Sequence, residues 1–173
     1  MAISFYDISI GTYLQTLGGV IGFLEKGREH CEANGIDLDE VVATRLYPDM
    51  HPFRFQIWAV AHMTRGALKG LKEGRFTPPP PLPELDYAGL QQLMADIRDD
   101  LSKISRESAE ALENTQVTFQ IGDFKMMFTA ANFVLSFTLP NLFFHATTAY
   151  DMLRMKGVPI GKANFLGPMR IGV

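Results

Sequence analysis

The sequence predicts an all-α protein: an antiparallel four-helix bundle with a small β-hairpin before its last helix and an extended C-terminal tail. Three observations predict it. Four long segments, 4–33, 49–72, 87–105 and 130–156, carry apolar residues at helical spacing between cap, proline and glycine signals. The run Pro78-Pro79-Pro80-Pro81 separates the second from the third and is too rich in proline for a helix or a central strand. Only the stretch 117–129 alternates in the manner of strands. Long helices joined by a stiff spacer pack as antiparallel neighbours. With 173 residues, the chain reads as a single domain, 1–173, long enough for a full core without staples.

The first helix starts behind Ser4, a natural cap, and stops at Asn34-Gly35. Gly11, Gly18 and Gly22 recur near helical spacing along it, which suggests a close helix–helix or subunit contact. A short helix over 38–44 follows, with Asp37 as its cap. The second long helix begins near Asp49 or His51, with Pro52 in its first turn, where the missing N–H is harmless. Phe53, Ile57, Val60, Ala61, Thr64, Leu68 and Leu71 form its apolar stripe; Phe55, Trp58, Ala59, His62 and Gly66 lie on a neighbouring one. In the third helix Leu90, Leu93, Met94, Ile97 and Leu101 face the core, and the charged run from Asp96 to Lys103 faces water. Strands over 117–121 and 124–129 turn at Gly122-Asp123. The last helix ends at Gly157, with Pro159 beyond, and Pro140 inside it predicts a kink. The glycines and proline of 160–173 predict an extended tail lying on the bundle surface.

Composition narrows the function. A net charge of -3 with scattered basic residues leaves no footprint for nucleic acid or anionic lipid. Cys31 is the single cysteine, which points to a reducing compartment, and no basic region precedes an apolar core near Met1, so a cytoplasmic location is expected. The stretch 130–150 is uncharged and long enough to span a bilayer. Its Asn132, Ser136, Pro140, Asn141 and His145 instead suit a buried helix of a non-membrane bundle.

Two of the four histidines stand out. His30 and His51 read as surface residues near helix ends. His62 and His145 fall mid-helix among apolar or small neighbours, and Asn141 sits one turn before His145 on the same face. A polar pair in such surroundings must be hydrogen-bonded, bound to a ligand, or costly. Histidines on facing helices of a bundle can converge on a metal; equally, both can be core residues satisfied by Thr, Tyr or backbone partners. Asp49 is either a helix cap or a carboxylate near the site, and Tyr150 either supports His145 or simply packs. Cys31 has no CxxC partner, which argues against a nucleophilic role. The segment Gly157-Val158-Pro159-Ile160-Gly161-Lys162 resembles part of a phosphate loop but follows a helix rather than preceding one, so nucleotide binding is discounted.

The segment Pro140-Asn141-Leu142-Phe143-Phe144-His145, with Thr147-Thr148-Ala149-Tyr150, Leu153-Arg154, Gly157-Val158-Pro159, Gly161-Lys162 and Phe165-Leu166-Gly167, resembles a branch of unknown function in the DinB/YfiT-like superfamily of four-helix metalloenzyme-type proteins. Pro48-Asp49-Met50, Pro52 and Gln56 fit the same branch. The resemblance covers essentially the whole chain. It implies that the last bundle helix carries a His-xxx-His pair and helix two a third His, together holding nickel, zinc or iron. On this chain those positions fall on Asn141, His145 and His62, so an amide stands where one imbidazole is expected, and Asn is a poor ligand for zinc or nickel.

Two functions are then expected as alternatives. One is an enzyme, a metal-dependent thiol transferase or hydrolase in which His62, Asn141 and His145 hold the metal and Tyr150 or Asp49 assists proton transfer. The other is a non-catalytic bundle that has lost the metal and binds a small molecule, or a homodimer in a stress response, with the glycine-rich face of helix one as the dimer contact.

Overall fold

The computed structural model describes residues 3–171. The chain is mostly helical with one three-stranded sheet. Ser4 caps the first helix, α1 (Phe5–Ile8), accepting from the Asp7 amide at 3.2 Å. The Glu110 carboxylate takes the Phe5 and Tyr6 amides, each at 3.1 Å. The helix expected over 4–33 breaks at Ser9, whose backbone (φ -102, ψ -93) leaves the helical region, and resumes as α2 (Ile10–Asn34). Gly35 ends α2 in the left-handed region at φ 65, which glycine reaches without steric cost. Then comes α3 (Leu38–Ala43), capped by Asp37 at 2.8 Å from the Asp39 amide.

The second long segment starts later than expected. Pro52 is the cap residue rather than a first-turn residue, and α4 runs over Phe53–Ala61. It continues through a π-helical turn, His62–Gly66, into α5 (Ala67–Glu73). The all-α expectation with a lone hairpin is corrected here. Arg75–Phe76, at the head of the proline connector, forms β1 and pairs in parallel with β2 (Gln116–Ile121), which pairs antiparallel with β3 (Phe124–Thr129). Between them lie α6 (Tyr87–Ser102), capped by Asp86, and α7 (Arg106–Glu110), a separate turn.

The last long segment is not one kinked helix. A single turn, α8 (Ala130–Asn132), passes into a π-helical stretch, Phe133–Thr138, and then α9 (Leu139–Met155), with Pro140 in its first turn. Proline has no N–H to donate, and the wider π turn absorbs the mismatch. Local side chains serve the loosened carbonyls: Ser136 donates to Asn132, Thr138 to Val134 at 3.3 Å and Asn141 to Phe137 at 2.7 Å. Thr64 does the same in the first π turn, donating to Val60 at 2.8 Å.

The long helices close a ring, α2 against α6, α6 against α4, α4 against α9 and α9 against α2. Phe23, Phe53, Tyr87, Leu90, Met94, Phe133 and Leu142 fill its centre. Tyr87 hydroxyl donates to Leu24 carbonyl at 2.8 Å, and Tyr13 and Thr138 hydroxyls meet at 2.6 Å, so the buried hydroxyls are paired. Among the described residues no helix is long and apolar enough to cross a membrane.

The tail is not simply extended. Lys162–Leu166 forms α10, packed on α2. The glycine stripe of α2 receives this tail. A Cβ on Gly18 would fall 2.7 Å from Pro168, and one on Gly19 would strike the Phe165 carbonyl. The close contact expected of those glycines is therefore made within the chain at Gly18 and Gly19. Gly22 has nothing within 4 Å.

Candidate functional site

His145 projects from α9 toward α4 and is half-buried. Its Nδ1 lies 2.8 Å from Oε1 of Gln56, which is 2% exposed. The other end of that amide donates from Nε2 to the His51 carbonyl at 3.0 Å. A carbonyl only accepts, so the amide nitrogen belongs on His51 and the amide oxygen on His145. An oxygen acceptor demands a donor, so His145 carries its hydrogen on Nδ1 and leaves Nε2 as a bare lone pair. Nε2 makes no hydrogen bond within the described chain. Arg54 Nε is the buried side-chain polar atom left without a partner there, so Nε2 of His145 reaches the surface.

Burial, and next the charge of His51, hold the His145 pKa down at about 4, so the ring is neutral at physiological pH. Phe55 stacks on His51 with ring centres 3.9 Å apart and meets His145 edge-on at 5.9 Å; Phe144 meets His145 edge-on at 5.2 Å. A neutral imidazole of fixed tautomer between two aromatic rings can accept a hydrogen bond, take a proton, or donate a lone pair to a metal.

The trio expected to bind metal makes no hydrogen bond among its own members. Asn141 and His145 share a face of α9, but the Asn141 amide nitrogen is spent on Phe137 carbonyl. His62 stacks on Phe76 at 4.4 Å and places Nε2 2.9 Å from Thr77 carbonyl, on the connector side of the first π turn. It shares no partner with His145. The α4 side chain that faces His145 is Gln56. Among the described residues no group of three or more His, Cys, Asp and Glu side chains could hold a metal ion. As a donor set for nickel, zinc or iron, one open imidazole with amide neighbours does not fit.

Neither of the two residues expected to move protons hydrogen-bonds to His145. Asp49 is exposed in the turn before α4 and does not cap it. Tyr150 hydroxyl donates to Ile160 carbonyl at 3.3 Å and its ring packs on Phe23 and Phe165, anchoring the tail. Cys31 is buried, and burial pushes its thiol pKa up, so it is not a ready nucleophile. Sequence reasoning passed over Gln56 and His51 as site residues. The available signal was a lone glutamine inside the apolar stripe of α4, one turn past Pro52; a buried amide in such a place needs partners at both ends.

The long helices form a ring in which His145 on α9 faces the Gln56 side chain on α4. A crystal structure of a DinB family member protein from Shewanella denitrificans matches it with a TM-score of 0.79 over 97% of this chain and 94% of that chain, at 23% identity, a likeness of fold. The chain belongs to the family of the domain of unknown function DUF1993, which matches residues 5–166. No curated protein matches the chain.

Proposed function

We propose that this protein is a small-molecule-binding member of its DinB-like branch, an antiparallel four-helix bundle in which the position of the superfamily's metal centre has become a hydrogen-bonding site. The carrying observation is the Gln56–His145 contact of 2.8 Å, braced by the His51 carbonyl. The Gln56 amide on α4 ties up one nitrogen of His145 and leaves the other as a fixed acceptor. Phe55 and Phe144 supply apolar walls, and a ligand with one hydrogen-bond donor on an apolar body matches that arrangement.

A second reading, a metal-dependent thiol transferase or hydrolase, draws support from one observation. His145 is neutral with a bare, accessible Nε2, the state in which imidazole ligates a metal. Asn141 stands one turn away on the same face.

Elemental mass spectrometry separates the two readings, on untagged protein purified without chelators beside a His62→Ala/His145→Ala variant. The expected result is far less than one nickel, zinc or iron per chain in both, before and after reloading. Near-stoichiometric metal in the parent that disappears in the double variant overturns the binding-protein reading in favour of the enzyme.

A further inference from the structure

A second site lies on the other side of α4. The first π turn, β1 and the proline connector enclose a cleft of about 410 Å³, within the range of small-molecule pockets. Two side chains of the helical wall tie the connector down over it. Trp58 indole donates to Pro80 carbonyl at 3.3 Å, and His62 Nε2 to Thr77 carbonyl at 2.9 Å. The walls are therefore held by the fold itself. His62, Arg65, Gly66 and Lys69 line the cleft together with Trp58, at the spacing of one helical face.

The lining has two characters. Trp58 and His62 offer flat surfaces, and His62 is stacked on the buried Phe76 at 4.4 Å. Arg65, Lys69 and Arg75 stand against the single acid Glu73, on a chain whose net charge is -3. Two of these cations have only loose, exposed acidic neighbours: Arg65 with Asp100 at 3.6 Å and Lys69 with Glu73 at 3.8 Å. Such pairs are weak and yield to a better anion. Arg75 makes no ion pair among the described residues.

His62 completes the chemistry. Because Nε2 donates to a carbonyl, Nε2 holds the hydrogen, and the neutral ring keeps its lone pair on Nδ1. Nδ1 sits over Gly66, where a Cβ would come within 2.8 Å of it, so glycine leaves that side of the ring open. His62 thus carries the opposite tautomer to His145, each set by its own oxygen partner.

We propose that this cleft binds a small aromatic anion, with its ring against Trp58, its negative group among Arg65, Lys69 and Arg75, and a hydroxyl or N–H donating to Nδ1 of His62. This site goes beyond the His145 reading and stands whether or not His145 takes a metal.

The test is titration of the full-length protein with 4-hydroxybenzoate and with uncharged 4-hydroxybenzamide, followed by calorimetry and by amide and indole NMR shifts. The carboxylate is expected to bind about tenfold tighter than the amide or better. Its shifts should centre on the Trp58 indole N–H, Gly66 and Gly70. Arg75→Gln, at an exposed position, and Lys69→Gln should each erase most of that preference while leaving the amide's affinity unchanged. Equal affinities of the two probes, shifts centred on Phe55 and His145, or no saturable binding of either overturn the proposal. The parent comparison alone decides this, so the outcome does not depend on a variant folding.

Discussion

The Oε1 atom of Gln56 lies 2.8 Å from Nδ1 of His145, and this contact decides which imidazole nitrogen carries hydrogen. Gln56 has no freedom to turn over, because its nitrogen is engaged with His51 carbonyl at 3.0 Å. Replacing it by leucine keeps the volume roughly constant but orphans both partners. Gln56→Leu is expected to cost about 1–3 kcal/mol in urea unfolding, the usual penalty for stranded buried polar groups. Imidazole nitrogen shifts should also change from a pure Nδ1–H form of His145 to a mixture. An unchanged midpoint with an unchanged tautomer removes Gln56 from its positioning role.

Stability should fall as pH drops from neutral toward acid, in a window set by the histidines. The His145 pKa is held at about 4 in the fold against a usual 6.5, and that of His62 is also lowered. A group with a lowered folded pKa binds fewer protons when folded. Its contribution is complete above 6.5 and is lost as pH falls through about 4. The carboxylates of Asp7 and Glu110 are also held low, Asp7 chiefly by hydrogen bonding from Arg106, so their contributions are lost only below the ordinary carboxylate range. Denaturant unfolding at pH 7 and pH 5 should therefore show a weaker protein at the lower value, and His145→Gln should flatten that difference. An equal slope in parent and variant would show that the His145 pKa does not differ between the folded and unfolded states.

The α2 glycines should divide by what faces them. Gly18→Ala puts a methyl 2.7 Å from the Pro168 ring and should lower stability by about 1–2 kcal/mol, overpacking outweighing the helix-propensity gain. Gly22→Ala meets nothing within 4 Å and should raise stability by about 0.5–1 kcal/mol. Thermal melts read both, and hydrogen exchange over 160–170 should quicken only in Gly18→Ala. Identical behaviour of the two variants would mean that the tail does not rest on this stripe.

Asn141 should behave as a backbone-supporting residue. Its amide donates to Phe137 carbonyl at 2.7 Å, at the junction where the π stretch meets Pro140. Asn141→Ala is expected to cost about 0.5–1.5 kcal/mol and to leave metal content as in the parent. Unchanged stability together with altered metal uptake would assign Asn141 to a metal instead.

Much of the fold is legible locally. Ser4, Asp37 and Asp86 cap helices because their side-chain oxygens reach amides two or three residues on. Gly35 stops α2 because only glycine enters the left-handed region freely. The hairpin strands pair Gln116 to Thr129 through Ile121 to Phe124, close to the expected 117–121 and 124–129. The site is half legible: His145 stands out as a lone imidazole on an apolar helix, but its partner does not. Gln56 is 89 residues away in sequence, and no helical period links the two.

The sequence by itself determined the caps at Ser4 and Asp37, the stop at Gly35, the turn at Gly122 and the candidacy of His145, because each rests on residues a few positions apart. Tertiary structure decided that Gln56 rather than His62 faces His145, that the α2 glycines receive the chain's own tail, that Arg75–Phe76 joins β2, and that two helices pass through π turns. These depend on which faces meet once the helices pack. A one-residue change in helical phase, such as a π turn introduces, turns a side chain by about 100° and so selects its neighbours.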